Sequence, residues 1–194
     1  VKMIDLGIGQ PDPALLPLKV MRQAAGHRLE VTGADILQYG TESGNDYFRQ
    51  ALAQFLTRHY HMTVAFDRLF VTAGATHALD LICTYFAESG DTVLVEEPSY
   101  FLALRIFRDR GLKIVGLPMD SDGLLPEALE EIFAARRPAF LYTIPTYHNP
   151  TGITMSSRRR KRLIELCRKH GVLIVADEVY HLLNYAEAPP PPMA

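Results

Sequence analysis

The chain has 194 residues, 48% of them hydrophobic, and carries 22 acidic against 20 basic side chains for a formal net charge of −2. That apolar fraction supports a buried core of useful size and argues against intrinsic disorder, while near-neutrality removes any electrostatic case for nucleic acid or an anionic membrane as partner. No apolar run approaches the length needed to cross a bilayer.

The length suits one ordinary domain or part of a larger one. The opening Val1-Lys2-Met3-Ile4-Asp5 lacks the charged-then-apolar layout of a signal peptide. Cys83 and Cys167 fall inside helical patterns, where small buried thiols are expected rather than a disulfide framework. A cytoplasmic setting is the expectation. No internal repeat of fixed period is present.

In chain order, residues 4–17 are rich in Gly and Pro and read as an extended arm or loop. Residues 1–44 are taken as this N-terminal arm and loop, and residues 45–194 as the main domain. Residues 45–59 carry Phe48, Leu52, Phe55 and Leu56 at helical spacing and read as an amphipathic helix. A regular alternation then begins. Short apolar runs at 69–72, 92–95, 113–117, 139–144 and 172–176 read as buried strands, and the stretches 76–86, 100–110, 126–135 and 156–170 between them as helices. Such an order predicts an α/β fold: a mostly parallel sheet with helices on both faces. Pro189-Pro190-Pro191-Pro192 reads as a polyproline-like loop.

Ligands of parallel α/β sheets bind at the carboxyl ends of the strands, so the residues after each strand are the informative ones. After 69–72 comes Ala73-Gly74-Ala75-Thr76, small residues opening a helix whose free N–H groups could cradle a phosphate. A plain turn is the alternative. The Gly-x-Gly at Gly7 and Gly9 lacks the third glycine and preceding strand of a dinucleotide site. After 92–95 comes Glu96-Glu97-Pro98-Ser99-Tyr100, whose tyrosine offers a face to a flat ligand or simply packs at a helix start. After 139–144, two prolines and a glycine fix the loop that carries Asn149. After 172–176 comes Asp177-Glu178-Val179-Tyr180, where a carboxylate ending a buried strand needs a cation, from a ligand or from a structural salt bridge.

Together these residues resemble the class I/II aminotransferases of pyridoxal-phosphate fold type I, from Gly9-Gln10-Pro11-Asp12 to Asp177-Glu178-Val179-Tyr180, with Asn149-Pro150-Thr151-Gly152 the most specific run. The branch containing aminoadipate- and kynurenine-type aminotransferases is similar, as is the aminotransferase-like half of MocR-type transcriptional regulators. The resemblance implies pyridoxal 5'-phosphate as cofactor, amino-acid and 2-oxo-acid substrates, and a homodimer in the full-length form. It implies that Asp177 pairs with the pyridine nitrogen and Tyr100 stacks on the ring. Asn149 and Tyr180 would bind the ring oxygen, Asn149 also reaching the substrate carboxylate. The amides after Gly74, those of Ala75 and Thr76, would bind phosphate. Tyr39 would reach the phosphate of the neighbouring subunit's cofactor, and Gly9 would line the substrate. The resemblance also implies a covalently bonding lysine a few tens of residues past Asp177, where only seventeen residues follow. None of the five lysines Lys2, Lys19, Lys113, Lys161 and Lys169 matches it, so the main domain is expected to be an incomplete large domain, inactive by itself. In the family fold, 69–72 reaches the sheet through two strands beyond this chain, so unpaired edges are also expected.

Three other signals point elsewhere. Arg158-Arg159-Arg160-Lys161-Arg162 reads as the solvated face of an amphipathic helix rather than a nucleic-acid patch. His59-Tyr60-His61 has no carboxylate or thiol companions, so no metal is expected. No Gly-x-Ser-x-Gly elbow occurs, which leaves an esterase without support.

Overall fold

A computed structural model describes residues 9–185 and 187–193; Lys2 and Gly7 lie outside them. Two compact units are resolved, Val1–Asn45 and Asp46–Ala194, each taken by itself.

In the first unit a short 3₁₀ turn at Pro13–Leu15, capped by Asp12, leads into helix α1 (Leu18–Thr32) and a second 3₁₀ turn at Gly33–Leu37. Helix α1 was not foreseen from the sequence. Its apolar residues do not gather into a stripe, and Leu18, Val20, Met21, Leu29 and Val31 are all exposed, so the periodic signal of a core-facing helix is missing.

The second unit is built on a four-stranded parallel sheet in the order β2-β1-β5-β6, where β1 is Thr92–Glu96, β2 Lys113–Leu117, β5 Phe140–Thr143 and β6 Leu173–Ala176. Between β2 and β5 a two-residue hairpin, β3 (Met119–Asp120) with β4 (Gly123–Leu124), pairs antiparallel. The helices are α2 (Asp46–Tyr60), α3 (Gly74–Phe86), α4 (Phe101–Asp109), α5 (Pro126–Ala135) and α6 (Ser157–His170). The strands are short and largely apolar, and the helices α4, α5 and α6 cross between successive strands of this sheet and pack back on it, which is why the pairing is parallel.

Period-two alternation divides the core in two. Val93, Val95, Phe140, Tyr142 and Val175 point to one face with Leu79 and Cys83 of α3 and Ala103 and Phe107 of α4. Leu94, Leu141 and Leu117 point to the other with Leu129 of α5 and Leu163 and Cys167 of α6. Fully burying a side chain of this size is worth about 1.5–3 kcal/mol. The expected helix-covered parallel sheet is therefore present, and both cysteines are buried free thiols as expected.

Two expectations fail. Residues 69–72 form no strand: the segment is extended at Leu69, pairs with no strand among the described residues, and leaves Phe70 and Val71 exposed. Apolar run length signals a strand, but a strand exists only where a neighbour supplies its ladder. The basic run is not wholly solvated either. Arg158, Lys161 and Arg162 are exposed, but Arg160 is buried. Among the described residues no helix is long and apolar enough to cross a membrane.

Candidate functional site

The carboxyl ends of β1, β5 and β6 assemble a polar constellation over the face covered by α3 and α4. Val175 is buried on that face, and two residues on, the same alternation delivers Asp177 to it. The Asp177 backbone is pinned by its N–H donating to Thr143 O at 2.8 Å. Its carboxylate is pinned as well, because the phenol of Tyr142 donates to Oδ2 at 2.8 Å. The other oxygen, Oδ1, receives among the described residues only a long 3.5 Å N–H from Val179. Burial first, then the charge of Asp177, pushes the Tyr142 phenol far above the ordinary tyrosine range, so it stays a neutral donor.

Tyr100 occupies the N-cap position of α4 and packs, like Tyr180, against the core cluster that contains Tyr142. Burial raises the Tyr100 pKa, and the neighbouring Tyr180 and Asp177 raise it further. Asn149 Nδ2 reaches the Tyr180 hydroxyl at 3.4 Å. Asp177, Tyr100, Tyr180 and Asn149, named from three separate stretches of sequence, thus meet in one place.

Gly74 starts α3 at φ +84°, with nothing within 4 Å of where a Cβ would stand. The Ala73 N–H at the N-cap donates to His77 Nδ1 at 3.1 Å, while among the described residues no side chain takes the first-turn amides of Ala75 and Thr76, which are offered outward with the positive end of the dipole. Leu79, one turn further on, lies in the same core cluster as Tyr142. Gly9 and Tyr39 belong to the first unit; both are exposed, Tyr39 completely.

The opposite face of the sheet supports these loops with residues that sequence reasoning passed over. Glu96, 1% exposed, accepts from Thr143 Oγ1 at 2.6 Å and from Ile144 N–H at 2.8 Å. His148 Nε2 lies 3.1 Å from its Oε2 as an ion-pair contact without good hydrogen-bond direction. The other ring nitrogen of His148 meets Thr151 Oγ1 at 2.9 Å, so the two residues flanking the Asn149-Pro150 step are tied together. Arg160 donates to Pro145 O, Thr146 Oγ1 and Met155 O at 2.9 Å each and to Pro191 O at 3.0 Å, and pairs with Glu178 at 3.4 Å. Burial lowers its pKa, and Glu178 offsets part of that. Glu178 further accepts from Thr146 Oγ1 and the Met193 N–H, and meets the His181 ring. Of the adjacent carboxylates, Asp177 faces the site and Glu178 anchors its frame.

Two of these had a signal. Arg160 stands three and seven positions before Leu163 and Cys167, on their helix face. Tyr142 is a hydroxyl inside an apolar strand, which must find a partner. His59, singled out for its neighbour His61, packs against Phe55 with ring centroids 4.2 Å apart and planes tilted by 45°.

Against known proteins, the sequence matches the family described as Aminotransferase class I and II over residues 1–191. The chain belongs to that family. It is similar to Aromatic-amino-acid aminotransferase 1 of Thermococcus litoralis, 36% identical over 98% of this chain and 47% of the relative. It is also similar to an uncharacterized HTH-type transcriptional regulator of Bacillus subtilis, YdfD, 35% identical over 98% of this chain and 39% of the relative. Its fold resembles the crystal structure of LysN, the α-aminoadipate aminotransferase of Thermus thermophilus complexed with N-(5'-phosphopyridoxyl)-L-leucine, with TM-score 0.85 and 34% identity over 95% of this chain and 46% of that one. The chain spans less than half the length of these aminotransferase-family relatives.

Proposed function

We propose that this chain contributes the cofactor-holding part of a pyridoxal-phosphate aminotransferase, which moves an amino group between an amino acid and a 2-oxo acid. The observation that carries the reading is the Asp177 carboxylate, fixed by Tyr142 on one oxygen and lightly engaged on the other, beside Tyr100, Tyr180 and Asn149. The donor set fits the group. A carboxylate suits a protonated ring nitrogen, an amide–phenol pair suits a ring oxygen, and an uncapped helix N-terminus suits a phosphate. Family membership and a relative caught with a phosphopyridoxyl adduct support it.

When bound, pyridoxal phosphate supplies an electron sink for bonds at the substrate α-carbon. This chain's residues hold it for that task. Asp177 keeps the ring nitrogen protonated, and Tyr100 gives the ring a stacking face. Asn149 and Tyr180 bind the ring oxygen, Asn149 also serving the substrate carboxylate. The amides of Ala75 and Thr76 hold phosphate after the Gly74 turn, and Gly9 lines the substrate. Tyr39, wholly exposed, is available to the phosphate of a partner subunit in a homodimer. The base for proton movement is a lysine not among these residues. Lys113 stands opposite Thr92 at the amino end of the strands, away from the site, and we expect no turnover from these residues by themselves. Residues 45–194 act as the incomplete large domain and 1–44 as the arm, in a cytoplasmic enzyme.

Titration of the chain with pyridoxal phosphate, followed by the cofactor's absorbance, tests the reading. Saturable binding weakened at least about tenfold by Asp177→Ala supports it, since losing an ion pair of this kind costs about 1.4 kcal/mol or more. Binding indifferent to Asp177 overturns it. The 35% identity to the Bacillus regulator favours a second reading, a cofactor-binding effector domain of a MocR-type transcriptional regulator. A DNA-binding domain joined ahead of Val1 would select it.

A further inference from the structure

Tyr142 has no task in the family resemblance, yet it is a large and fully buried side chain of the domain. Its ring is held edge-on by Phe107, centroids 5.4 Å apart, and Phe107 is held in turn by Phe140. The register Tyr142↔Val175 and Thr143↔Ala176 sets the strand ends side by side, so the phenol arrives beside Asp177 without rotamer freedom. A half-buried carboxylate at the end of a strand would otherwise rotate and hydrate both oxygens equally. Here one oxygen is consumed at 2.8 Å, while among the described residues the second has only a long backbone contact.

We infer that Tyr142 is a positioning residue for the cofactor: its hydroxyl locks the Asp177 carboxylate plane so that Oδ1 is presented to the pyridine nitrogen. The inference rests on the proposed function above. Tyr142 does not touch the cofactor; it acts through Asp177 alone. Outer partners that orient a binding group in this manner are a general device of preorganised sites. The neutral state of the phenol, enforced by burial and by Asp177, keeps the donor in place across the physiological range.

A ligand pair separates this role from mere packing. The wild-type chain and Tyr142→Phe are titrated with pyridoxal 5'-phosphate and with its 1-deaza analogue, in which C–H replaces the ring nitrogen. Tyr142→Phe removes one oxygen and keeps the buried ring. We expect it to weaken pyridoxal phosphate about tenfold, the equivalent of one charge-assisted hydrogen bond, and to leave the deaza analogue within about twofold. In an Asp177→Ala background, which leaves the phenol no acceptor there, the Tyr142 substitution should then have no effect on either ligand. Equal weakening of both ligands, or of neither, overturns the inference while leaving the cofactor reading intact. Failure of the wild-type chain to bind pyridoxal phosphate sinks the cofactor reading itself, and this inference with it.

Discussion

Glu96 and His148 meet in the interior at 3.1 Å, each about 1% exposed, and the loop that presents Asn149 is suspended from that meeting. Glu96 leaves β1 on the face opposite Tyr100, so the strand that leads to Tyr100 also anchors the Asn149 loop across the sheet. Removing its carboxylate orphans Thr143 Oγ1 and the Ile144 N–H together. We expect Glu96→Ala to destabilise the chain by about 3–5 kcal/mol, the range for one broken partner of a buried charged network, and Glu96→Gln to cost less. Urea denaturation of the three proteins measures the difference; an alanine variant within about 1 kcal/mol of wild type would contradict the assignment.

Arg160 joins Pro145, Thr146 and Glu178 through one guanidinium. A lysine cannot reproduce that fork. Arg160→Lys should lose about 2–4 kcal/mol, with faster amide exchange in residues 145–155 and 177–181 than in β1. Unchanged protection in those two loops would show that they are held by something else.

Two glycines should respond to alanine for different reasons. Gly74 has φ +84° and open space around it, so Gly74→Ala meets no clash and costs about 1–2 kcal/mol of backbone strain. An added Cβ at Gly116, which lies outside the positive-φ set, meets the Glu97 carboxylate. Glu97 is exposed, so its carboxylate can swing away, while its Cβ at 3.1 Å needs only a small backbone adjustment, so Gly116→Ala should cost no more than about 1 kcal/mol. Thermal melts of the two variants rank them, and the reverse order would refute the argument.

The thiols give a pH signature. Burial raises Cys83 to about 11 and Cys167 to about 12, above the unfolded value. A group raised in the fold adds stability that is complete below the unfolded pKa and fades as pH climbs towards the folded one, because the unfolded state sheds its proton first. Stability should therefore fall from about pH 9 upward, and the slope should flatten in a Cys83→Ala, Cys167→Ala double variant. At about pH 8 a thiol reagent should label the folded chain at least about a hundredfold more slowly than the unfolded one. Rapid labelling of Cys167 under native conditions would show that its helix opens readily.

The order of strands and helices from β1 onward was legible because parallel strands buried on both faces must be unbroken apolar runs and the helices between them must carry a stripe. The loops holding Tyr100, Asn149 and Asp177 were legible for a related reason: strand ends in such a sheet are where ligands go. Residues 69–72 misled, since an apolar run does not reveal whether a neighbouring strand exists, and α1 gave no stripe to read.

Residue types and their spacing determined the sheet, its covering helices and the family motifs Asn149-Pro150-Thr151-Gly152 and Asp177-Glu178-Val179-Tyr180. Only the tertiary structure decided which carboxylate faces the site, that Tyr142 is the partner of Asp177, and that Arg160 and Glu96 hold the loops from behind. Those are pairings across 35, 18 and 52 positions of chain, set by strand register and helix docking, and no local period encodes them.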